Sequence, residues 1–278
     1  MTHRPQTLAL IEKVQQLIEE YSLPLTVRQI YYRVVSLQII ENSTKSYKNF
    51  DNKLVIAREE HFIPYSAIID RTRQVIKSSS WSSPKEFFDT VKTAYRRRLL
   101  ADQDNYVEVW VEKDALAGLF EEITNKYDVY LVVGRGYQSH SALYEASLRF
   151  KQAKAVKILY FGDFDPSGED IFRNIRERMS RLFDLQPDFE KVALTREDID
   201  YYNLPPNLIK RSDSRARNFI SRHGDLSVEL DALPPDVLLQ KVEDSIVKHL
   251  DMTKFEKQLE LEREDKGQIE ELIKAIMV

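Results

Sequence analysis

The stretch ILYFGDFDPSGEDI, residues 158–171, constrains what this chain can fold into more than any other. An apolar run ends in Asp163-Phe164-Asp165, and a Pro-Ser-Gly turn then opens a helical pattern. YVEVWV (106–111), VYLVV (129–133) and KILYF (157–161) are β-rich runs, separated by the helical segments DALAGLFEEITNK and SALYEASLRFKQ. That alternation predicts an α/β fold with a parallel sheet flanked by helices over residues 105–278. In such sheets ligands bind in the crevice beyond the strand C-termini. Glu112 follows the first run, and Asp163 and Asp165 follow the third. If those strands are neighbours, the three carboxylates meet at one edge, where an all-oxygen set suits Mg²⁺.

The first part of the chain has a different pattern. Leu8, Ile11, Val14, Leu17 and Ile18 recur at helical spacing. After the Ser22-Leu23-Pro24 break, TVRQIYYRVVSLQI predicts a second helix with Thr26 as N-cap. KSYKNFDNKLVIAREEH predicts a third helix, and FIPYSAIIDRTRQVI a short β-ribbon. Three short helices followed by a ribbon is the winged helix-turn-helix plan, which places a DNA-binding domain at residues 1–80. SSSWSSP, residues 78–84, is the linker, and a helix begins at Ser83 and Pro84 and runs to about Leu100, so that 81–104 joins the two domains. Residues 251–276 predict a long charged helix that closes the second domain or makes a dimer contact.

Charge divides along the same boundary. Residues 1–100 hold 16 Lys+Arg against 10 Asp+Glu, and the remainder holds 25 against 35. A basic part joined to an acidic part fits nucleic-acid contact in the first and metal-dependent chemistry in the second. The chain has no Cys, which excludes disulfides and thiolate metal sites and suits a reducing cytoplasm. Its 5 His form no zinc-type pair, and no apolar run is long enough to span a membrane.

Between the acidic motifs lies GRGYQSHSA, residues 134–142, in which Gly134 and Gly136 precede a helix whose N–H groups suit a phosphate. The pattern of Glu112, Gly-x-Gly-Tyr and DFDPSGEDI on alternating strands and helices resembles a Toprim domain. DFDPSGEDI is similar to the form in topoisomerase VI A subunits. VALTREDIDYYNLPP, KRSDSRARNF and VELDALPP resemble the C-terminal part of that subunit, so the likeness covers about residues 20–250. The resemblance implies DNA strand breakage by transesterification, as in the related meiotic double-strand-break transesterase. It further implies a homodimer in which the tyrosine of one protomer works with the Mg²⁺ site of the other, with Mn²⁺ as a substitute. A separate ATPase B subunit of the GHKL type is the further partner that the family implies.

A transesterase of this kind needs an accessible tyrosine, and VRQIYYRVV supplies Tyr31 and Tyr32. Val27, Ile30, Tyr31 and Val34 share one helical stripe, which predicts Tyr31 as core. Tyr32 lies about 100° away, on the face of Arg28, and is expected to be exposed. The family pattern RxxYY also points to the second tyrosine. In this reading Tyr32 attacks, Arg28 stabilises charge, Glu112 acts as acid or base, and Glu112, Asp163 and Asp165 hold the metal. Lys45, Lys48, Asn49, Lys53 and Arg58 on the third helix and Arg71 and Arg73 in the ribbon are the expected contacts to double-stranded DNA, with weak sequence preference. His140 is expected at a helix start, and roles for Asp213, Arg215, Arg217, Glu229 and Asp231 stay open.

The likeness begins near the first residue, as in the short stand-alone A-like proteins of the Mini-A type, and no Gly-rich ATPase motif is present. ATP-driven strand passage is therefore not expected of this chain alone. Localisation is expected to be cytoplasmic, at the nucleoid. Two other readings stay open: a Toprim nuclease in which water attacks and Tyr32 is structural, and a non-catalytic DNA-binding module.

Overall fold

The computed structural model describes residues 5–21, 24–69, 77–207, 209 and 213–276. Three helices open the chain: α1 (Pro5–Glu19), α2 (Val27–Ser36) and α3 (Thr44–Glu59). Thr26 starts α2 as expected, by a capping box: its hydroxyl accepts from the Gln29 N–H at 3.3 Å, and Gln29 Oε1 accepts from the Thr26 N–H at 2.8 Å. Leu10, Ile11, Val14 and Leu17 carry the buried stripe of α1, with Leu8 exposed.

The expected β-ribbon is not formed in the described part of its segment. Pro64 turns the chain into a single 3₁₀ turn at Tyr65–Ala67, after which Ile68 makes one isolated bridge to Leu25. Arg71 and Arg73 lie outside the described residues. Helix α4 (Pro84–Ala94) also stops six residues before the expected Leu100. Beyond Ala94 the backbone is drawn out by Arg97, which binds the last helix through Glu262 (2.8 Å), Gln258 (2.8 Å) and Asp265 (2.7 Å). These tertiary bonds outweigh a helix propensity worth only tenths of a kcal/mol per residue.

The second unit runs β1 (Asn105–Val111), α5 (Ala117–Lys126), β2 (Tyr130–Val133), α6 (His140–Phe150), β3 (Ala155–Phe161), α7 (Pro166–Phe183) and β4 (Asp188–Ala193). Then follow α8 (Arg196–Tyr201), α9 (Ala216–His223), a 3₁₀ turn at Leu230–Ala232, α10 (Pro235–Val247) and α11 (Met252–Ile276). The four strands make one all-parallel sheet in the order β2-β1-β3-β4. The sequence reading missed β4: its half-buried edge position lets Asp188, Glu190 and Lys191 break the apolar run.

Side chains alternate across the sheet. Val107, Val109, Val111, Leu159 and Phe161 join one buried cluster that continues without a break into Tyr31, Tyr32, Val34 and Phe50 of the first unit. Trp110, Ile158 and Tyr160 face the other way, onto α6 and α7. Also on this second face is Glu108, fully buried and bound by Arg149 Nε (2.5 Å), the Tyr106 hydroxyl (2.7 Å) and Trp110 Nε1 (2.9 Å). A charge is tolerated there because every lone pair has a donor.

Candidate active site

From β1 the chain goes first to β2 on one side and then to β3 on the other. The crevice between the C-termini of β1 and β3 is therefore the topological switch point. Val111 pairs with Phe161 in register, and the Glu112 N–H donates to the Phe161 carbonyl at 2.9 Å. Glu112 and the Gly162-Asp163 step thus arrive side by side, as expected from the motif spacing. Glu112 Oε2 accepts from the Asp163 N–H at 3.2 Å and lies 3.4 Å from the Tyr160 hydroxyl. A Cβ at position 162 would stand 2.6 Å from both Glu112 Oε2 and the Tyr160 ring, so a larger residue there would push those two side chains aside.

Asp165 is the N-cap of α7, its Oδ1 accepting from the Gly168 N–H at 2.6 Å. A Cβ at position 168 would lie 2.4 Å from the Asp163 carbonyl oxygen. The Pro-Ser-Gly sequence is thus the tight connection that brings the helix N-terminus up against the strand end.

Beside these acids lies a cation that the sequence reading overlooked. Lys113 Nζ sits 2.9 Å from Asp163 Oδ1, 2.8 Å from Glu229 Oε2 and 2.6 Å from Asp231 Oδ2. Its position directly after Glu112 in VEKDAL was the available signal. Arg28 approaches from α2, pairing with Glu229 and, through Nε at 3.1 Å, with Asp231. Asp231 is 1% exposed and holds both cations. Its segment is pinned in turn, since the Leu230 N–H donates to Asp163 Oδ1 at 2.7 Å and Val228 bridges Phe164. Glu229 and Asp231, left open by the sequence, are therefore partners of Arg28 and Lys113.

Burial is the larger reason that the Glu112 carboxyl is pushed up to about 7, and the charges of Asp163 and then Asp165 add to it. Burial also raises Asp165, against the Gly168 N–H that holds it down. Burial pulls the Lys113 ammonium down, but the charges of Asp231 and Asp163 outweigh it and leave it above its ordinary value. Among the described residues no group of three or more His, Cys, Asp or Glu side chains is arranged to hold a metal ion. A Mg²⁺ on Glu112 and Asp163, completed by water and substrate phosphate, would have to take Asp163 Oδ1 from Lys113 Nζ at 2.9 Å and the Leu230 N–H at 2.7 Å, and Asp165, expected as the third ligand, does not join the set. The crowding that raises Glu112 is what a divalent charge would relieve.

Glu112 keeps its proton up to about pH 7 in the folded chain, where an unfolded Glu has already lost it. Metal-free stability should therefore fall as pH rises from the ordinary carboxylate range to about 7. Cation binding needs the deprotonated form, so affinity should rise across the same window and level off above it. Calorimetric titration with Mn²⁺ is expected to show up to about a tenfold gain from pH 6 to pH 7, absent in Glu112→Gln. A flat wild-type profile would contradict the assignment of Glu112.

Tyr32 departs from expectation. It is 5% exposed, hardly more than Tyr31 at 2%, because the 229–232 segment covers the face of α2 that helical geometry left to solvent. Burial raises its phenol, and the charges of Arg28 and Lys113 pull it back. The Arg28 guanidinium lies 5.9 Å from its ring centroid. Tyr31 is the core residue foreseen: its hydroxyl accepts from the Ser43 N–H at 3.0 Å, and its ring packs edge-on against Tyr47 and tilted against Phe50. Tyr32 nevertheless borders a cavity of ≈ 690 Å³ together with Arg28, Tyr47, Asp165, Ser167 and Asn207. One space thus touches the tyrosine helix and Asp165 at the start of α7, while Glu112 and Asp163 lie outside its wall.

The sequence matches no protein-family model and no curated protein.

Around the cavity the remaining expected residues fall into two groups. Lys45, Lys48 and Asn49 are exposed along one side of α3, and Lys53 is half-buried on the same helix. Arg58 is engaged instead: its guanidinium stacks 4.9 Å from the Tyr65 ring centroid. Asp213 borders the cavity and is held by Arg215 at 2.7 Å, and Arg215 reaches the Tyr137 hydroxyl at 3.1 Å. Tyr137 also bonds Asp170 of α7, so the Gly134–Gly136 turn is tied to the helix beside Asp165. His140 lies exposed in the first turn of α6, whose N-cap is Ser139, the helix-start role foreseen for it. Among the described residues no helix is long and apolar enough to cross a membrane.

Proposed function

We propose that this chain is a Mg²⁺-dependent DNA-cleaving transesterase similar to topoisomerase VI A subunits, with a winged-helix first unit and a Toprim second unit. The observation that carries this reading is that Tyr32, Arg28 and Asp165 border the same cavity. Tyr32 Oη attacks the scissile phosphorus and its proton passes to water, since a Glu112 that holds Mg²⁺ is not free to take it. The bond from phosphorus to the 3′ oxygen breaks, and that oxygen takes up a proton from water. The products are a 5′-phosphotyrosyl link and a free 3′-OH. Arg28 and Lys113 supply fixed positive charge beside the phenol as its proton leaves. Mg²⁺ on Glu112 and Asp163, when bound, would orient the phosphodiester and offset its charge. Lys45, Lys48 and Lys53 meet the phosphate backbone, so binding should weaken steeply with salt. Two chains, one for each strand, make a double-strand break, and a separate ATPase partner would add strand passage. The setting is the cytoplasm, at the nucleoid.

A hydrolytic nuclease is the second reading. It draws on the burial of Tyr32 and its raised phenol, both of which work against nucleophilic attack. Supercoiled plasmid incubated with protein and Mg²⁺ or Mn²⁺, quenched in SDS and split with and without protease, separates the two. Breaks whose 5′ ends carry protein support the transesterase. Protein-free breaks favour the nuclease and sink the first reading, and intact plasmid with binding preserved sinks both.

A further inference from the structure

We propose that Lys113 is a built-in competitor at the acidic edge: a divalent ion reaches Asp163 only by moving the Lys113 ammonium off it, onto Glu229 and Asp231. This rests on Glu112 and Asp163 as the Mg²⁺ ligands proposed for the cleavage reaction, and it does not need the transesterase step.

Lys113 leaves the sheet next to Glu112, just past the C-terminal end of β1. A lysine ammonium has three N–H donors, and here three carboxylates meet them: Asp163 at 2.9 Å, Glu229 at 2.8 Å and Asp231 at 2.6 Å. The side chain is 16% exposed, so water screens these contacts weakly and a cation arriving at Asp163 must compete with a full ammonium charge. Asp163 Oδ1 also accepts from the Leu230 N–H at 2.7 Å, and is thus already committed to two donors. That commitment accounts for the geometry of the edge, where Glu112, Asp163 and Asp165 adjoin without converging on one metal position. A displaced Lys113 is not stranded. Phe164 and Val228 exchange both backbone hydrogen bonds at 2.9 Å, which fastens the segment of Glu229 and Asp231 beside the strand end. Giving up Asp163 therefore leaves the ammonium two acids of its three. The lysine holds the acids together until a divalent ion, with twice the charge, takes its place on Asp163.

Calorimetric titration with Mn²⁺ above pH 7, where Glu112 is largely ionised, reads the competition directly. Lys113→Gln should bind Mn²⁺ at least about tenfold more tightly than wild type, the worth of one charge-assisted hydrogen bond removed from the competing side. Arg28→Gln takes a positive charge from the same two acids, Glu229 and Asp231, without freeing Asp163, and should gain much less. A Lys113→Gln chain that binds Mn²⁺ no better than wild type, or no better than Arg28→Gln, overturns the proposal.

Circular dichroism checks that Lys113→Gln folds, since the change leaves the buried Asp231 with one cation fewer. If it does not fold, Lys113→Gln/Asp231→Asn measured against Asp231→Asn makes the same comparison with no carboxylate stranded, and must show the same gain. A thermal melt is the second readout. A fixed excess of Mn²⁺ should raise the Tm of Lys113→Gln more than that of wild type, and an equal or smaller rise overturns the proposal. The plasmid assay answers for the cleavage reaction separately. No protein-linked breaks, with the Mn²⁺ gain present, refutes the transesterase step and leaves the role of Lys113 standing. Breaks without the gain remove that role alone.

Discussion

Tyr32→Phe should abolish protein-linked DNA breaks while leaving the protein folded. The change removes the attacking oxygen and little else. The ring stays in the buried cluster, and the lost hydroxyl, with its hydrogen bond to Asn207, costs on the order of 1 kcal/mol. Removing a nucleophile that works as part of a catalytic unit lowers the rate by a factor on the order of 10³ or more. Adduct formation is therefore expected to fall below detection, with DNA binding unchanged. Tyr31→Phe is the matched control. It deletes the acceptor of the Ser43 N–H and should lower stability by about 1–3 kcal/mol, with cleavage per folded molecule preserved. The chain holds 14 Tyr, so the adduct must also be mapped. Trypsin should release it on the peptide Gln29–Arg33. Adducts that survive in Tyr32→Phe, or that map to another tyrosine, remove Tyr32 from the mechanism.

Glu108→Leu is expected to give a large loss of stability. The change leaves Arg149 without its buried partner and strips the Tyr106 hydroxyl and the Trp110 indole N–H of their acceptor. Breaking a buried ion pair on one side costs about 3–5 kcal/mol. Arg149 keeps 28% side-chain exposure and finds some water, which places this case near 3 kcal/mol. For a chain of this size that is a fall in Tm of about 5 °C. The double variant Glu108→Leu/Arg149→Met replaces the whole pair with apolar groups and should recover to within about 1 kcal/mol of wild type. Thermal melts of the three variants decide it. A single variant as stable as wild type, or a double variant that recovers nothing, would show that the pair is not coupled in this way.

Residues 105–161 illustrate what could be read directly. Three apolar runs with helical spacers specify a parallel sheet, because a strand buried on both faces has no other composition open to it. The placement of Glu112 and Asp163 at adjoining strand ends followed from the same spacing, and so did the Thr26 cap and Tyr31 as a core residue. Each of these depends on periodicity or on groups a few residues apart, and such information is local.

What the sequence left undecided depends on groups far apart in the chain. Tyr32 was expected to face solvent because a helix in isolation offers only its own geometry. A segment nearly 200 residues later covers it, and Arg28 meets Glu229 across 201 positions. Arg97 ends α4 early through bonds to a helix more than 160 residues on. Lys113 was passed over because its role exists only once Asp163, Glu229 and Asp231 converge on it. The alternation around DFDPSGEDI was enough to specify the sheet and its acidic edge, since strand burial and glycine sterics act within a few residues. Long-range packing and charge pairing alone set which face of the tyrosine helix meets that edge, and they enclosed Tyr32 and Asp165 around a single cavity.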